Sequence, residues 1–123
     1  MENLTPQLTE AEVLAFETKA SEIAKQRGYV QVHPVVFIMP ESLERIVAYL
    51  RNPTFTEKLY AMDQAITVGP FMSASNMSEL VLIKDESHPL ASSDAPQADM
   101  IRLGIVNYCM GLISHYQNQF KKK

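Results

Sequence analysis

The chain has 123 residues, of which 46% are hydrophobic, 20% charged and 8% aromatic. A chain of this length removes roughly two-thirds of its unfolded surface from water on folding, so a single domain spanning residues 1–123 needs no staple. Disulfide-rich, collagen-like and disordered classes are excluded by the same composition. Eleven basic against fourteen acidic residues leave a formal charge of −3, which argues against a domain built to grip nucleic-acid phosphates.

Three further features bear on location. The one cysteine, Cys109, cannot form an internal bridge, which suits a reducing compartment. The apolar stretches 35–39 and 101–113 are too short or too interrupted to cross a bilayer, which takes about 20 residues. Met1-Glu2-Asn3 opens neither a basic nor an apolar leader. The expectation is a cytoplasmic protein with no membrane span.

The first element is a helix. Thr9-Glu10-Ala11-Glu12 forms a capping box, Val13, Phe16, Ala20, Ile23 and Ala24 recur at helical spacing, and Gly28 ends the run. Tyr29 to Met39 is dense in β-branched and aromatic residues and reads as a strand, with Pro34 placing it at a sheet edge or marking a bulge. Residues 43–50 fit two readings. Leu43, Ile46, Val47 and Leu50 make a helical stripe behind Pro40, whereas 46–50 also suits a short second strand; the local pattern favours the helix slightly.

A second capping box, Thr54-Phe55-Thr56-Glu57, opens a helix carrying Leu59, Tyr60, Met62 and Ile66 that stops at Gly69-Pro70. Residues 73–83 read as another helix, with Met77, Leu80, Val81 and Ile83 on its buried side and Asn76 and Glu79 facing out. Residues 84–99 hold Pro89, Pro96 and several serines and acids without apolar period, and are expected to be a flexible loop. Asp99 then caps a long helix reaching Phe120. Its stripe of Ile101, Ile105, Tyr108, Cys109, Leu112 and Tyr116 is widened by Met100, Leu103, Val106, Met110 and Ile113, so it is expected to be buried on most sides, by the fold or by another chain.

Catalytic patterns are sparse. His33, His88 and His115 fall in different elements with no metal-ligand spacing, and no metal or cofactor is expected. Cys109 and His115 lie six apart on a helix and face different ways. Lys84-Asp85-Glu86-Ser87-His88 gathers two carboxylates, a hydroxyl and an imidazole, but neighbouring side chains on a loop diverge, which favours a solvated turn over an active site. The four glycines cannot assemble a dinucleotide turn or a phosphate loop. Gly104 and Gly111, seven apart, offer a face where another helix can approach closely, within the monomer or across a dimer. Seven methionines are many for this length, and those at 62, 72, 77, 100 and 110 suit either core gaps or adaptable apolar contacts.

A short Tyr49-Leu50-Arg51-Asn52-Pro53 segment is followed by the helix containing Lys58-Leu59-Tyr60-Ala61-Met62-Asp63. Then come Gly69-Pro70, a further helix, an acidic Asp85-Glu86-Ser87 exit and a final apolar helix ending Gln119-Phe120-Lys121-Lys122-Lys123. This succession, over residues 35–123, resembles small proteins encoded among bacteriophage tail-morphogenesis genes, some of them tail assembly chaperones. The resemblance implies an α+β fold in which 45–50 is a strand forming a hairpin with 32–38, packed with about four helices. It implies a non-enzymatic protein that binds apolar or helical segments of a tape-measure or other tail protein until the tail assembles.

The sequence thus leads to a phage assembly chaperone of the host cytoplasm, with Ile101, Ile105, Tyr108, Leu112 and Tyr116 as the expected partner contacts. It is expected to bind neither nucleic acid nor membrane. The alternative is a virion structural subunit of connector or neck type forming a homo-oligomer; a small enzyme using the Asp85–His88 cluster ranks third.

Overall fold

The computed structural model describes residues 7–121, with side chains through Asn118. Residues 1–6, on which the reading of a missing leader rests, and the last two lysines of the basic ending lie outside the described residues. Helix α1 spans Glu10–Arg27, strands β1 and β2 span Val32–Ile38 and Arg45–Arg51, and helices α2, α3 and α4 span Phe55–Thr67, Pro70–Val81 and Asp99–Lys121. The result is an α+β fold of four helices on one two-stranded antiparallel hairpin, mostly helical.

Both capping boxes form as the sequence reads. Thr9 and Glu12 exchange side-chain to backbone bonds of 2.9 and 3.1 Å, and Thr54 and Glu57 do so at 2.8 and 3.2 Å, satisfying amide groups that a helix start leaves unpaired. Gly28 ends α1 at φ 75°, a conformation a Cβ penalises.

The helical reading of 43–50 is corrected: this segment is strand β2 from Arg45 onward, as the tail-protein resemblance implies. Leu43 turns the chain at φ 60°, and the Met39 amide donates to the Glu44 carbonyl at 2.9 Å. The register then runs unbroken from Ile38↔Arg45 to Val32↔Arg51. Apolar residues occupy consecutive positions because both faces of the hairpin are covered, which hides the two-residue period. Ile46, Ala48 and Leu50, with Val35 and Phe37 packed near them, join the core formed with α2, α3 and α4. Val32, Val47 and Tyr49 meet Ala20, Ile23 and Ala24 of α1 on the other face. The hairpin is therefore the middle layer between α1 and a three-helix layer.

The two edges of the hairpin differ. On β2, Tyr49 accepts from the Ile83 amide and Val47 from the His88 amide, each at 2.9 Å, and Leu50 bridges to Leu82, so residues 82–88 cover that edge. On β1, bonds at Met39–Glu44 and Gln31–Asn52 fix the odd-numbered residues as those bonded to β2, since bonded pairs alternate. Pro34 consequently turns its nitrogen outward from the sheet. It marks an edge strand and no bulge, because the only position that lacks a donor is one where β2 asks for none.

Helix α3 begins three residues earlier than its sequence pattern suggests, with Gly69 at φ 133° and Pro70 in the first turn. Its buried side is Ser73, Ala74, Met77, Ser78 and Val81, whereas Leu80, read as inward, is exposed. Ser73 donates to the Ala61 carbonyl at 2.6 Å and Asn76 to the Gln64 side chain at 3.1 Å, locking α3 to α2. Residues 84–98 wind into three short 3-10 turns, Lys84–Glu86, Pro89–Ser92 and Pro96–Ala98, with Ala91 and Ala98 buried.

One ion pair ties β2 to α2. Arg51 meets Glu57 in two parallel bonds of 2.8 and 2.9 Å, with most of both side chains shielded from solvent. The Arg51 guanidinium, with help from the Thr54 amide, holds the Glu57 carboxyl at about 2, down from 4.5. A depressed carboxyl contributes stability above its unfolded value and loses it as pH falls through the folded one, so this contribution fades between about pH 4.5 and 2. Glu57→Gln keeps the capping acceptor and removes the charge. It is expected to cost about 1–2 kcal/mol at pH 7, after screening by solvent, and almost nothing near pH 2, as urea unfolding at both pH values would show.

Candidate protein-binding site

The five residues of α4 expected to contact a partner separate into different environments. Ile101 and Ile105 are 2% and 3% exposed and sit in the main core with Ile46, Leu50 and Val81. Ile101, expected to face a partner, is covered within the chain, and Ile105 reaches only the floor of the groove between α3 and α4. Tyr108, Leu112 and Tyr116 are half-buried. The Tyr108 ring lies 5.9 Å from His33, whose Nε2 is 2.6 Å from the Asn52 side-chain oxygen. Tyr116 carries the Lys58 ammonium 4.8 Å above its ring, a cation–π contact. Burial raises both phenols above their ordinary value.

The cover on α4 leaves one face in water. Ile101, Ile105, Cys109 and Ile113 form its inward ridge at four-residue spacing, while Met100, Leu103, Asn107, Gly111 and Ser114 face outward. The approach expected at the two glycines occurs at one of them, and a strand supplies it. The Phe37 ring of β1 stands where a Cβ on Gly104 would be, 2.1 Å from it, whereas nothing lies within 4 Å of that position at Gly111.

Between α3 and the first half of α4 lies an open groove of about 1020 Å³. Leu82, Ala91 and Ile105 contribute to its floor, and Leu80, Leu103, Val106 and Tyr60 to its apolar walls. Leu103 is 62% exposed, and Leu80 and Tyr60 are also exposed. Asn76, Glu79 and Asp99 supply polar groups at the margin, and Arg102 is held there by the Ser93 carbonyl and Asp94 at 3.2 Å each. The periodicity of α3 pointed away from this site, because it assigned Leu80 inward; the excess of apolar positions around α4 was the signal for it. A second cleft of about 690 Å³ lies between α1 and β1, with His33, Pro34 and Tyr108 in its lining.

The side chains of the Asp85–His88 cluster are engaged in holding the fold. Asp85 and Glu86 both accept from Arg27, and Glu86 also pairs with Lys19 at 3.6 Å, clamping α1 to the 84–86 turn. Ser87 donates to the Ile83 carbonyl at 2.7 Å and accepts from the Tyr49 amide at 2.9 Å. His88 accepts from the Leu90 amide through Nδ1 at 3.1 Å and places Nε2 3.4 Å from Glu44. These side chains thus turn to separate partners within the fold. Among the described residues, no group of three His, Cys, Asp or Glu is placed to hold a metal ion, and no helix is long and apolar enough to cross a membrane.

Cys109 is buried, and burial pushes its thiol up to about 12. A thiol without thiolate character is a poor nucleophile. Labelling of the native protein with iodoacetamide at pH 8 is expected to be slower by about 100-fold or more than labelling in urea, since only opening of the core exposes the sulfur; equal rates would contradict its placement.

No protein-family model, curated protein or solved structure matches this chain. The fold defines an α+β domain with an open groove of mixed apolar and polar lining.

Proposed function

We propose that this protein is a non-enzymatic binding protein of phage tail morphogenesis, acting in the host cytoplasm as an assembly chaperone. Its client is an apolar or helical segment of a long tail protein such as a tape measure, which the groove between α3 and α4 keeps soluble until the tube assembles. The observation that carries the reading is the exposure of Leu80 and Leu103 on opposite walls of one open groove. Exposed apolar side chains around a concave surface with a polar rim suit a helix that inserts its own apolar face. The resemblance of residues 35–123 to small tail-morphogenesis proteins, carried by the short segments quoted from the sequence, suggests the biological setting.

The reading needs no reaction. Affinity comes from apolar area that a client removes from water, and orientation from Glu79, Asp99 and Arg102 at the margin. A fluorescent amphipathic helical peptide, leucine on one face and lysine at its flanks, is expected to bind and raise its anisotropy. Leu80→Asp is expected to weaken that binding about tenfold or more while leaving the circular dichroism spectrum unchanged. Equal affinity for the wild type and this folded variant would remove the groove from the proposal.

A further inference from the structure

Helix α2 carries a second apolar surface, separate from the groove. Phe55, Leu59, Met62 and Ile66 follow one another at spacings of four, three and four, the spacing of a coiled-coil seam over about 16 Å of helix. Ala61, which lies off this seam, is the residue α2 buries in the core. Of the seam residues only Met62 packs partly against the core. Phe55, Leu59 and Ile66 are 72%, 46% and 81% exposed. At the corner after the helix, Val68, Phe71 and Met72 are exposed as well, extending the surface beyond the seam itself.

The charges beside this seam specify what covers it. With Leu59 and Ile66 as a positions and Phe55 and Met62 as d positions, Lys58 falls at g and Asp63 at the e position five residues on. In a parallel two-stranded arrangement each g side chain meets the e side chain of the following heptad on the other helix. Lys58 would meet Asp63 of the partner subunit, and Asp63 would meet Lys58 of the partner subunit, two opposite-charge pairs generated by a single two-fold axis. An antiparallel arrangement sets g against g and e against e, bringing like charges together. Lys58 is half-buried, with its ammonium over the Tyr116 ring of its own chain.

We propose that α2 is a homodimerisation helix, pairing in parallel with α2 of a second copy of this chain through Phe55, Leu59, Met62 and Ile66, with Lys58 and Asp63 setting the orientation. The inference is independent of the client proposed for the groove. A seam of four positions, even with the corner added, is small beside the area that permanent dimers bury, so the dimer dissociates in about the micromolar range.

Sedimentation velocity of the purified full-length chain between about 1 and 500 µM covers that range. It is expected to show a monomer–dimer equilibrium for the wild type and only monomer for Ile66→Asp with unchanged circular dichroism. Lys58→Glu and Asp63→Lys are each expected to weaken self-association about tenfold or more. Mixed together they restore the dimer, because both cross-pairs then join opposite charges. Ile66→Cys is expected to cross-link to a dimer under mild oxidation, since a positions face each other in a parallel seam, and Cys109 is too buried to substitute for it. A wild type monomeric at every concentration, or a dimer indifferent to Ile66→Asp, would overturn the interface. Failure of the two charge variants to complement each other would overturn the parallel pairing.

Discussion

Ile105→Asp is expected to unfold the protein, whereas Leu103→Asp, two residues away on the same helix, is expected to leave it folded and unable to hold a client. Ile105 is enclosed by the cluster containing Ile46, Leu50 and Val81. A carboxylate there has no charged or hydrogen-bonding partner supplied by those residues, and an unpaired buried charge costs about 4 kcal/mol or more. Against a typical domain stability of about 5–15 kcal/mol, that leaves a marginal or collapsed state. Leu103 stands on the groove wall in water, so a carboxylate there costs within about 0.5 kcal/mol of nothing. Circular dichroism and urea titration separate the two variants, and an Ile105→Asp protein with wild-type stability would mean that α4 does not pack as described.

Gly104→Val is expected to lower stability by about 3 kcal/mol, as overpacking of a tight contact does. A Cβ alone would meet the Phe37 ring at 2.1 and 2.5 Å, and a branched side chain needs more room still. Gly104→Ala is milder, because the ring can swing partly aside and alanine recovers about 1 kcal/mol of helix propensity. Gly111→Ala meets nothing within 4 Å and is expected to add up to about 1 kcal/mol. The two alanine variants should therefore differ by about 2 kcal/mol although both replace a glycine of α4. Phe37→Leu in the Gly104→Ala background should recover part of the loss, which a double-mutant cycle of urea midpoints measures. Equal effects of the two alanines would contradict the packing of β1 on α4.

These contrasts show where the sequence was informative. Helix starts were legible because a capping box is a local device: Thr9 with Glu12 and Thr54 with Glu57 mark α1 and α2 whatever surrounds them. Strand β2 was not legible from its own residues, since Ile46 to Leu50 is buried from two sides and its apolar run satisfies a helical template equally well. Only the partner strand decides between them. Leu80 was misplaced for a related reason, and Leu103 lines the same groove. An apolar residue at a helical position signals burial on average, yet the groove keeps these two in water, and surplus apolar residues around a helix do not say which are surplus. Residues 84–98 carry no period because their structure is three short turns anchored by Ala91 and Ala98, side chains too small to register in a hydrophobic pattern.

The same limit explains the partner contacts. Ile101 and Ile105 are the most regular apolar residues of α4, and regularity is what a core demands, so the strongest pattern led to the interior. The exposed apolar residues of this helix are irregular neighbours such as Met100 and Leu103.

One comparison decides whether the groove between α3 and α4 holds a tail protein. Tagged wild type and Leu103→Asp, each produced in cells that express the chain's native gene neighbourhood, are purified in parallel and their bound proteins quantified by mass spectrometry. A long helical tail protein is expected to be recovered with the wild type and lost from the folded Leu103→Asp variant. Recovery of that protein in equal amount with both, or of nothing beyond the chain itself, would contradict that expectation.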